Sequence, residues 1–441
     1  MNMNNTFLYE ALKKIDRYPG KKVFLIGNHK YTADLLQTIK TVSDYYMYPV
    51  NELQRDFPKD KVLTKKDFKE DYIYIDAVST DGTHTELSAL LTDIFHTVNE
   101  MHCVRISLGV NTGCEGNLDH YTHGFFHSDV TIAMDIDYPF YHLRKDHKAF
   151  KELYTLSPLN TMTISDFFKN FPKKQENAFK GTYGHIGIVS GSYGMAGACA
   201  LNILGARTLG AGYIDVCCTD DIYPVIAATN ITPVFHPYNG YTKTDVLLPV
   251  CTSVKSICFG SGGKNIPDKS DVLDFILQNA TCPIVLDAEG IRLLQQNYYI
   301  LHFVKQPVIL TPHIGEFADL LNRTVYEVSK DKINLCLKFS KEYSVFMVLK
   351  GPNTIITSPK GQIYINESGN EGLAQAGSGD LLTGMITAML SFQKDIFTAL
   401  KMAVFLHGHI ADTLALSHSR QTLDLTEYPS CMDRLFKENG Y

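Results

Sequence analysis

Asn366–Gly384 reads NESGNEGLAQAGSGDLLTG. Polar and glycine-rich residues run into Gly377-Ser378-Gly379-Asp380, and the apolar stretch that follows predicts a helix over Asp380–Met389. A helix N-terminus carries unpaired N–H groups and a partial positive charge, so it can hold a phosphate. Glycine at 377 and 379 lets that phosphate reach the backbone with no Cβ in the way. Asp380 falls in the first turn, beside the anion hole. A carboxylate there can take the proton of a hydroxyl that attacks the phosphate. Alone, the same residues also describe a glycine turn with an aspartate capping a helix. The surrounding sequence has to decide.

Upstream of this segment, short apolar runs each end in a characteristic turn. Val348–Thr354 is VLKGPNT, Leu310–Phe317 is LTPHIGEF, Ile284–Glu289 is IVLDAE, Phe259–Lys264 is FGSGGK, and Gly184–Gly191 (GHIGIVSG) leads into GSYGMAGA at Gly191–Ala198. Strands are predicted at Gly184–Gly191, Tyr213–Cys217, Ser256–Gly260, Pro283–Asp287, Gln306–Thr311, Val345–Lys350, Thr354–Thr357 and Gln362–Ile365. A small-residue helix is predicted at Ala198–Leu209, and a long one at Ile396–Leu416. This alternation predicts an α/β domain over 160–441, with a mostly parallel sheet and helices on both faces. The early strands end in Gly, Asp or Thr-Pro, and open α/β sheets bind ligands outside the carboxyl ends of their strands.

A chain of 441 residues exceeds one ordinary core. Residues 1–155 predict a smaller parallel α/β domain, with strands at Lys22–Ile26, Tyr72–Asp76, Cys103–Val110 and Val130–Met134 and a helix at Leu90–Val98. Leu156–Lys180, with two Pro and several Lys, reads as the connection, where Thr163 or Ser165 could cap a short helix. The net charge of −6 carries no basic stripe, so no nucleic-acid partner is expected. No apolar run reaches the length of a membrane span and no signal peptide is visible, which predicts a cytoplasmic protein without a membrane partner. The ten Cys lack any C-x-x-C pair, which favours reduced thiols over a disulfide framework or zinc site.

Together with Lys180–His185 (KGTYGH), these segments resemble, in order and spacing, the ADP/ATP-dependent NAD(P)H-hydrate dehydratases, a branch of the ribokinase-like fold. The resemblance runs from about 165 to about 415. Its most specific pieces are T-P-H-x-G-E-F, L-K-G-x-x-T and G-N-x-G-x-A-x-x-G-S-G-D; sugar and vitamin kinases share G-[ST]-G-D but not T-P-H-x-G-E. The resemblance implies that Asp380 is the acid/base residue next to the substrate and that Gly377, Ser378 and Gly379 form the phosphate turn. It implies that Lys350, Gly351, Pro352, Asn353, Thr354 and Gly379 line the adenine-nucleotide site, and that Ala198, Gly262 and His313 face the hydrated cofactor together with Asp380. Outside the motif, His313 would read as a histidine near a strand end and Lys350 as a strand-end surface lysine. The chain departs from the family at Gly260-Ser261-Gly262-Gly263-Lys264, where G-P-G-x-G is usual, and Lys264 could itself reach a phosphate. It also departs at Ile231-Thr232-Pro233-Val234 in place of a Pro-Glu pair, and at Asp287-Ala288-Glu289 in place of Asp-Ala-Asp.

Bifunctional relatives carry a Rossmann-like NAD(P)H-hydrate epimerase domain in the N-terminal position. Tyr74–Val78 followed by Asp81-Gly82 is similar to its V-D-A-x-x-G-T-G strand end. Where the epimerase has G-N-N-G-G-D-G, this chain has Gly27-Asn28-His29-Lys30-Tyr31. Where it has I-D-I-P-S-G-x-D, this chain reads Ile106-Ser107-Leu108-Gly109-Val110-Asn111-Thr112-Gly113. The fold is expected to persist and the epimerase activity to be lost. His120, His123 and His127, near Asp119 and Asp129, could bind a metal if helical, but their Tyr, Gly and Phe neighbours favour a solvated loop. No side-chain metal site is expected.

The resemblance implies dehydration of (S)-NAD(P)H hydrate, with ADP or ATP as phosphoryl donor, Mg2+ with the nucleotide, and a homo-oligomer. A small-molecule kinase for a vitamin-type alcohol, or a nucleotide-binding regulator without turnover, uses the same fold. An intact G-S-G-D with Lys350 argues against the regulator.

Overall fold

The computed structural model describes residues 22–26, 45–48, 68–70, 72–77, 89–114, 125–133, 139–142, 149–155, 161–174 and 183–441. The chain divides into two compact units, the first chiefly Met1–Asn160 and the second chiefly residues 161–441.

In the first unit, strands β1 (Lys22–Ile26), β2 (Tyr45–Tyr48), β3 (Tyr72–Asp76), β4 (Val104–Leu108), β5 (Ser128–Ala133) and β6 (Phe150–Thr155) form a parallel sheet in the order β2-β1-β3-β4-β5-β6. The two edge strands, β2 and β6, were not among the predicted ones. Phe24, Ile26, Tyr72 and Tyr74 meet Leu91, Ile94, Phe95 and Val98 of the helix Ala89–Glu100 in one apolar cluster. The predicted turn at Gly27–Tyr31 and the pair His120 and His123 lie outside the described residues.

The second unit is built on nine strands: β7 (His185–Val189), β8 (Tyr213–Thr219), β9 (Val234–Tyr238), β10 (Ser256–Phe259), β11 (Ile284–Leu286), β12 (Val308–Leu310), β13 (Phe346–Leu349), β14 (Ile355–Thr357) and β15 (Ile363–Ile365). Their order is β15-β14-β13-β12-β11-β10-β7-β8-β9; β7 to β13 run parallel, and β14 and β15 close one edge antiparallel. β9 was missed because VFHPY carries a proline, which a central strand would reject. At the sheet edge, where β9 sits, the missing N–H costs no ladder bond.

Ile186 and Ile188 of β7, Ile214, Val216 and Cys218 of β8, Val285 and Ile309 point to one face. There they bury against the helices Ala196–Thr208, Ser378–Phe392, Ile396–Leu414 and Tyr428–Glu438. The opposite face is reached from Gly187, where an added Cβ would touch Val250 of the helix Lys243–Ser253. The helices Ala196–Thr208 and Ser378–Phe392 cross at closest approach through two glycines. A Cβ at Gly384 would overlap the carbonyl of Asn202, and one at Gly205 would overlap that of Leu381. This crossing seats the start of Ser378–Phe392 over the sheet. A capping box at Thr163 and Asp166 starts the connecting helix Ile164–Asn170. Among the described residues, no helix is long and apolar enough to cross a membrane.

Candidate active site

The strand order reverses between β7 and β10: the chain steps outward from β7 to β8 and β9, and the other way from β10 to β13. Loops leaving two such strands diverge to opposite faces and open a crevice at the carboxyl edge. The turns GSYGMAGA after β7 and GSGGK after β10 flank it. The Ser261 carbonyl accepts from Gly191 N at 2.9 Å, and Ser192 Oγ donates to the Gly262 carbonyl at 2.7 Å. Gly262 has φ 61, and a Cβ there would sit 2.7 Å from Ala198 Cβ. Gly262 therefore packs directly against Ala198, where the two turns meet.

The next three strands each deliver one polar side chain to the same edge. Asp287 follows β11, Thr311 follows β12 and Lys350 follows β13. Asp287 is fully buried. Its Oδ1 accepts from Lys350 Nζ at 2.7 Å and from Thr311 Oγ1 at 2.8 Å, and its Oδ2 accepts from Ser261 Oγ at 2.9 Å. Burial pushes the Asp287 pKa up, but the Lys350 charge and these three hydrogen bonds outweigh it and leave it below the ordinary carboxylate value. Burial likewise works against the Lys350 ammonium, and the carboxylates of Asp287, Glu316 and Asp380 reverse the effect, so its pKa is raised. Lys350 remains a cation at the crevice floor.

Above it stands the glycine turn. Gly377 has φ 90, a left-handed conformation that favours glycine, and from it the helix Ser378–Phe392 begins. The amides of Gly379 and Asp380 make no backbone hydrogen bond among the described residues, which leaves them pointing off the helix end. A Cβ at Gly379 would lie 3.2 Å from Lys350 Nζ. A side chain here would fill the space between the helix end and the lysine, so the gap suits an anion held from both sides.

Asp380 itself is partly buried. Desolvation raises its pKa, the Asp287 charge adds to the rise, and Lys350 and the Ser261 hydroxyl oppose it; the result is about 6. A carboxylate poised there is ionised at neutral pH and basic enough to receive a proton. Asn202 holds it in place from below, donating from Nδ2 to the Asp380 carbonyl at 2.7 Å and to Ser261 Oγ at 3.3 Å.

The turn Lys350–Thr354 lies beside this cradle. Gly351 and Pro352 are exposed, and Asn353 and Thr354 are buried. Thr354 Oγ1 donates to the Gly351 carbonyl at 3.1 Å, and Asn353 Nδ2 to the Asn366 carbonyl at 3.3 Å. The glycine-rich loop that precedes the helix is fastened through Asp412, which accepts from Gly369 N at 2.7 Å and Asn370 Nδ2 at 2.9 Å. His313 is bridged to Lys350 across the strand ends. Its Nδ1 accepts from the amides of Gly315 and Glu316, so it caps the helix Ile314–Leu320. Its Nε2 lies 3.6 Å from Glu316 Oε1, and the side chain as a whole is 60% exposed.

Ser261, Asp287 and Thr311 were quoted within motifs without a role, and Asn202 was not singled out. Asn202 carried a usable signal: a lone amide in the apolar helix Ala196–Thr208 must find partners when buried. Behind the turn, burial lowers the His407 pKa to about 4, so it is a neutral neighbour of Ser378, with Ser378 Oγ and His407 Nε2 3.4 Å apart. Among the described residues, no three His, Cys, Asp or Glu side chains converge to hold a metal. The carboxylates of Glu316 and Asp380, both close enough to Lys350 to raise its pKa, would be the groups available to a Mg2+ carried in on nucleotide phosphates, since Asp287 is taken by Lys350.

A glycine turn at a helix start, facing a strand-end lysine and flanked by a carboxylate of pKa about 6, gathers at the switch point of an open α/β sheet the groups that suit a phosphate. A structure described as a ribokinase-like superfamily protein from Enterococcus faecalis shares the fold, with a TM-score of 0.57 and 20% identity over 63% of this chain and 95% of that one. The family profile described as NAD(P)H-hydrate dehydratase matches residues 186–431, and the chain belongs to that family. The ADP-dependent (S)-NAD(P)H-hydrate dehydratase of Bacillus subtilis is 33% identical over 60% of this chain and 94% of its own length. A crystal structure of the ADP/ATP-dependent enzyme from that organism, co-crystallized with ATP/Mg2+, matches with a TM-score of 0.56 and 30% identity, covering 63% of this chain and 98% of that one. The bifunctional NAD(P)H-hydrate repair enzyme of Moorella thermoacetica is 31% identical over 57% of this chain, and the match spans about half (49%) of that longer protein.

Proposed function

We propose that this chain is an ADP- or ATP-dependent dehydratase that returns (S)-NAD(P)H hydrate to NAD(P)H. The observation that carries the reading is Asp380, a carboxylate with a pKa of about 6 in the first turn of a helix whose start faces the half-buried Lys350. In this reaction the hydroxyl oxygen of the hydrated ring attacks the terminal phosphorus of the nucleotide, and its proton passes to Asp380. The bond from that phosphorus to the bridging oxygen breaks, and the shortened nucleotide leaves with the electron pair. The ring nitrogen's lone pair then expels phosphate with the electrons of the C–O bond, and the neighbouring carbon gives up a proton to restore the double bond.

In this reading the amides of Gly379 and Asp380 and Lys350 Nζ surround the transferred group. Gly377 and Ser378 shape the turn, and Gly351 to Thr354 border the adenine nucleotide. Ala198, Gly262 and His313 face the hydrate. Mg2+ bound to the nucleotide would offset the charge of its phosphates. A homo-oligomer in the cytoplasm belongs to the same proposal; all ten cysteines are free, which suits a reducing compartment.

The test uses the full chain, (S)-hydrated NADH, Mg2+ and either nucleotide, with return of NADH absorbance as the readout. Recovery with either nucleotide is expected. Accumulation of a stable phosphate ester without NADH would replace the dehydratase by a small-molecule kinase.

We infer further that residues 1–155 retain an epimerase-like fold without the activity. Alignments to bifunctional repair enzymes of Thermofilum pendens and Helicobacter pylori span 359 and 376 residues, more than 160–441 contains. Asp76, the carboxylate at the end of β3, is buried. Its Oδ2 accepts from Thr112 N at 2.8 Å and Ser107 Oγ at 3.2 Å, and its Oδ1 from Thr112 Oγ1 at 2.6 Å. A carboxylate committed to the neighbouring strand β4 and the segment that follows it is a poor proton shuttle. Interconversion of the R and S hydrates by the Asp380→Asn chain would overturn this.

A further inference from the structure

The reactive crevice has a rim that its chemistry does not use. Lys264 ends the turn after β10, three residues beyond Ser261. Its backbone is pinned: the Lys264 carbonyl accepts from Lys269 Nζ at 2.7 Å, and Asn265 N donates to Ser192 Oγ at 3.1 Å. Its side chain is exposed, and its ammonium makes no hydrogen bond or ion pair among the described residues. Lys269, five residues on, is paired with the buried Glu289 at 2.6 Å. Lys243 is paired with Asp268 and Asp271.

On the turn after β7 stands Tyr193, which is 73% exposed and whose ring has no aromatic neighbour among the described residues. The two turns are tied there, with Asn265 Nδ2 donating to the Tyr193 carbonyl at 3.0 Å. An unpaired cation and a bare aromatic face are thus held on a fixed backbone at one mouth. A large exposed aromatic beside a free lysine is the pairing that takes a phosphate and a flat ring.

We propose that Lys264 and Tyr193 form the outer seat for the dinucleotide substrate, with Lys264 receiving one of its phosphates and Tyr193 stacking on a ring. This rests on the dehydratase reading for the identity of the substrate. A dinucleotide whose hydrated ring lies at Asp380 carries its pyrophosphate and second nucleoside away from that carboxylate, and the turn that borders the crevice at Gly262 presents Lys264 two residues on. The phosphate is either the pyrophosphate, common to both cofactors, or the 2′-phosphate of NADPH alone.

The experiment measures binding of NADPH and of NADH to the full chain by nicotinamide fluorescence, for the wild type and for Lys264→Ala, Lys264→Glu, Lys264→Arg and Tyr193→Ala. Loss of one charge-assisted phosphate contact should weaken binding by about 5–10-fold in Lys264→Ala, more in Lys264→Glu, and little in Lys264→Arg. In turnover with the hydrates, the change should fall on KM rather than kcat. A loss confined to NADPH assigns the 2′-phosphate, and an equal loss with NADH assigns the pyrophosphate. Unchanged binding of both cofactors in Lys264→Ala and Lys264→Glu overturns the proposal, and so does a wild type that binds neither. Binding that depends on Lys264 in a protein that does not restore hydrated NADH would keep the seat and remove the dehydratase reading.

Discussion

Asp380→Asn should separate catalysis from stability in opposite directions. The substitution keeps volume and hydrogen-bonding capacity but removes the base. A positioned base contributes about 10²–10⁴-fold to turnover, so NADH recovery should fall by that factor while nucleotide binding persists. The structure also gives a stability term. Asp380 has a pKa of about 6 in the folded protein against an ordinary 3.8, mainly through burial and secondarily through the Asp287 charge. At pH 7 its ionised form therefore costs the folded state up to about 3 kcal/mol. The sign follows from proton binding. Between roughly pH 4 and 6 the native protein holds a proton that the unfolded chain has released, so stability falls as pH rises through that window and the full cost is present above it. The Asn variant has no such cost. It should melt higher at pH 7, by about 2–4 °C for each kcal/mol recovered, and the gain should vanish near pH 4. Calorimetry at pH 4 and pH 7, alongside NADH recovery, tests both halves. The wild-type rate should rise with pH through an apparent pKa near 6. Turnover within tenfold of wild type would reduce Asp380 to a helix cap, and an unchanged melting temperature at pH 7 would refute the buried, charge-repelled carboxylate.

Three further outcomes follow from the packing around the site. Lys350→Met strands the buried Asp287 charge and should cost about 3–5 kcal/mol in urea unfolding, with much of that regained in the double variant Lys350→Met, Asp287→Asn. Gly384→Ala places a methyl group against the Asn202 carbonyl at the helix crossing; it should destabilise by about 1–3 kcal/mol and slow turnover, because Asn202 also holds the Asp380 carbonyl. On the other side of the unit, the Asp215 carboxylate lies 2.5 Å from His185 Nε2 and 2.7 Å from His236 Nε2. Burial raises its pKa, but the two histidines outweigh that and hold it below the ordinary value, so its stabilisation is present above the unfolded pKa and is lost as pH falls through the folded one. Asp215→Asn should flatten the acid limb of the stability profile, and an acid limb identical to wild type would show that these pairs contribute nothing.

The sequence by itself determined most strands of the second unit and the glycine turn at a helix start. Short apolar runs ending in Gly, Asp or Thr-Pro are local signals, and so is a glycine pair ahead of an apolar helix; each is written within a few residues. That is why the helix at Ser378–Phe392, the strands β7, β10 and β13, and the placing of Gly377–Asp380 at a helix start could be read directly. The edge strand β9 and the final helix Tyr428–Glu438 were not read. In the first a proline masks the strand pattern, and the second carries Pro429 in its first turn. What only the tertiary structure decided is which distant residues share one charge balance. Ser261, Asp287, Thr311 and Lys350 come from four separate strand ends, and Asn202 from a helix packed against a second helix through glycine. Their spacing along the chain has no period to detect. The pKa of Asp380 depends on how deeply it is buried and on which charges stand beside it, and both are set by the order of strands in the sheet rather than by any segment of the sequence.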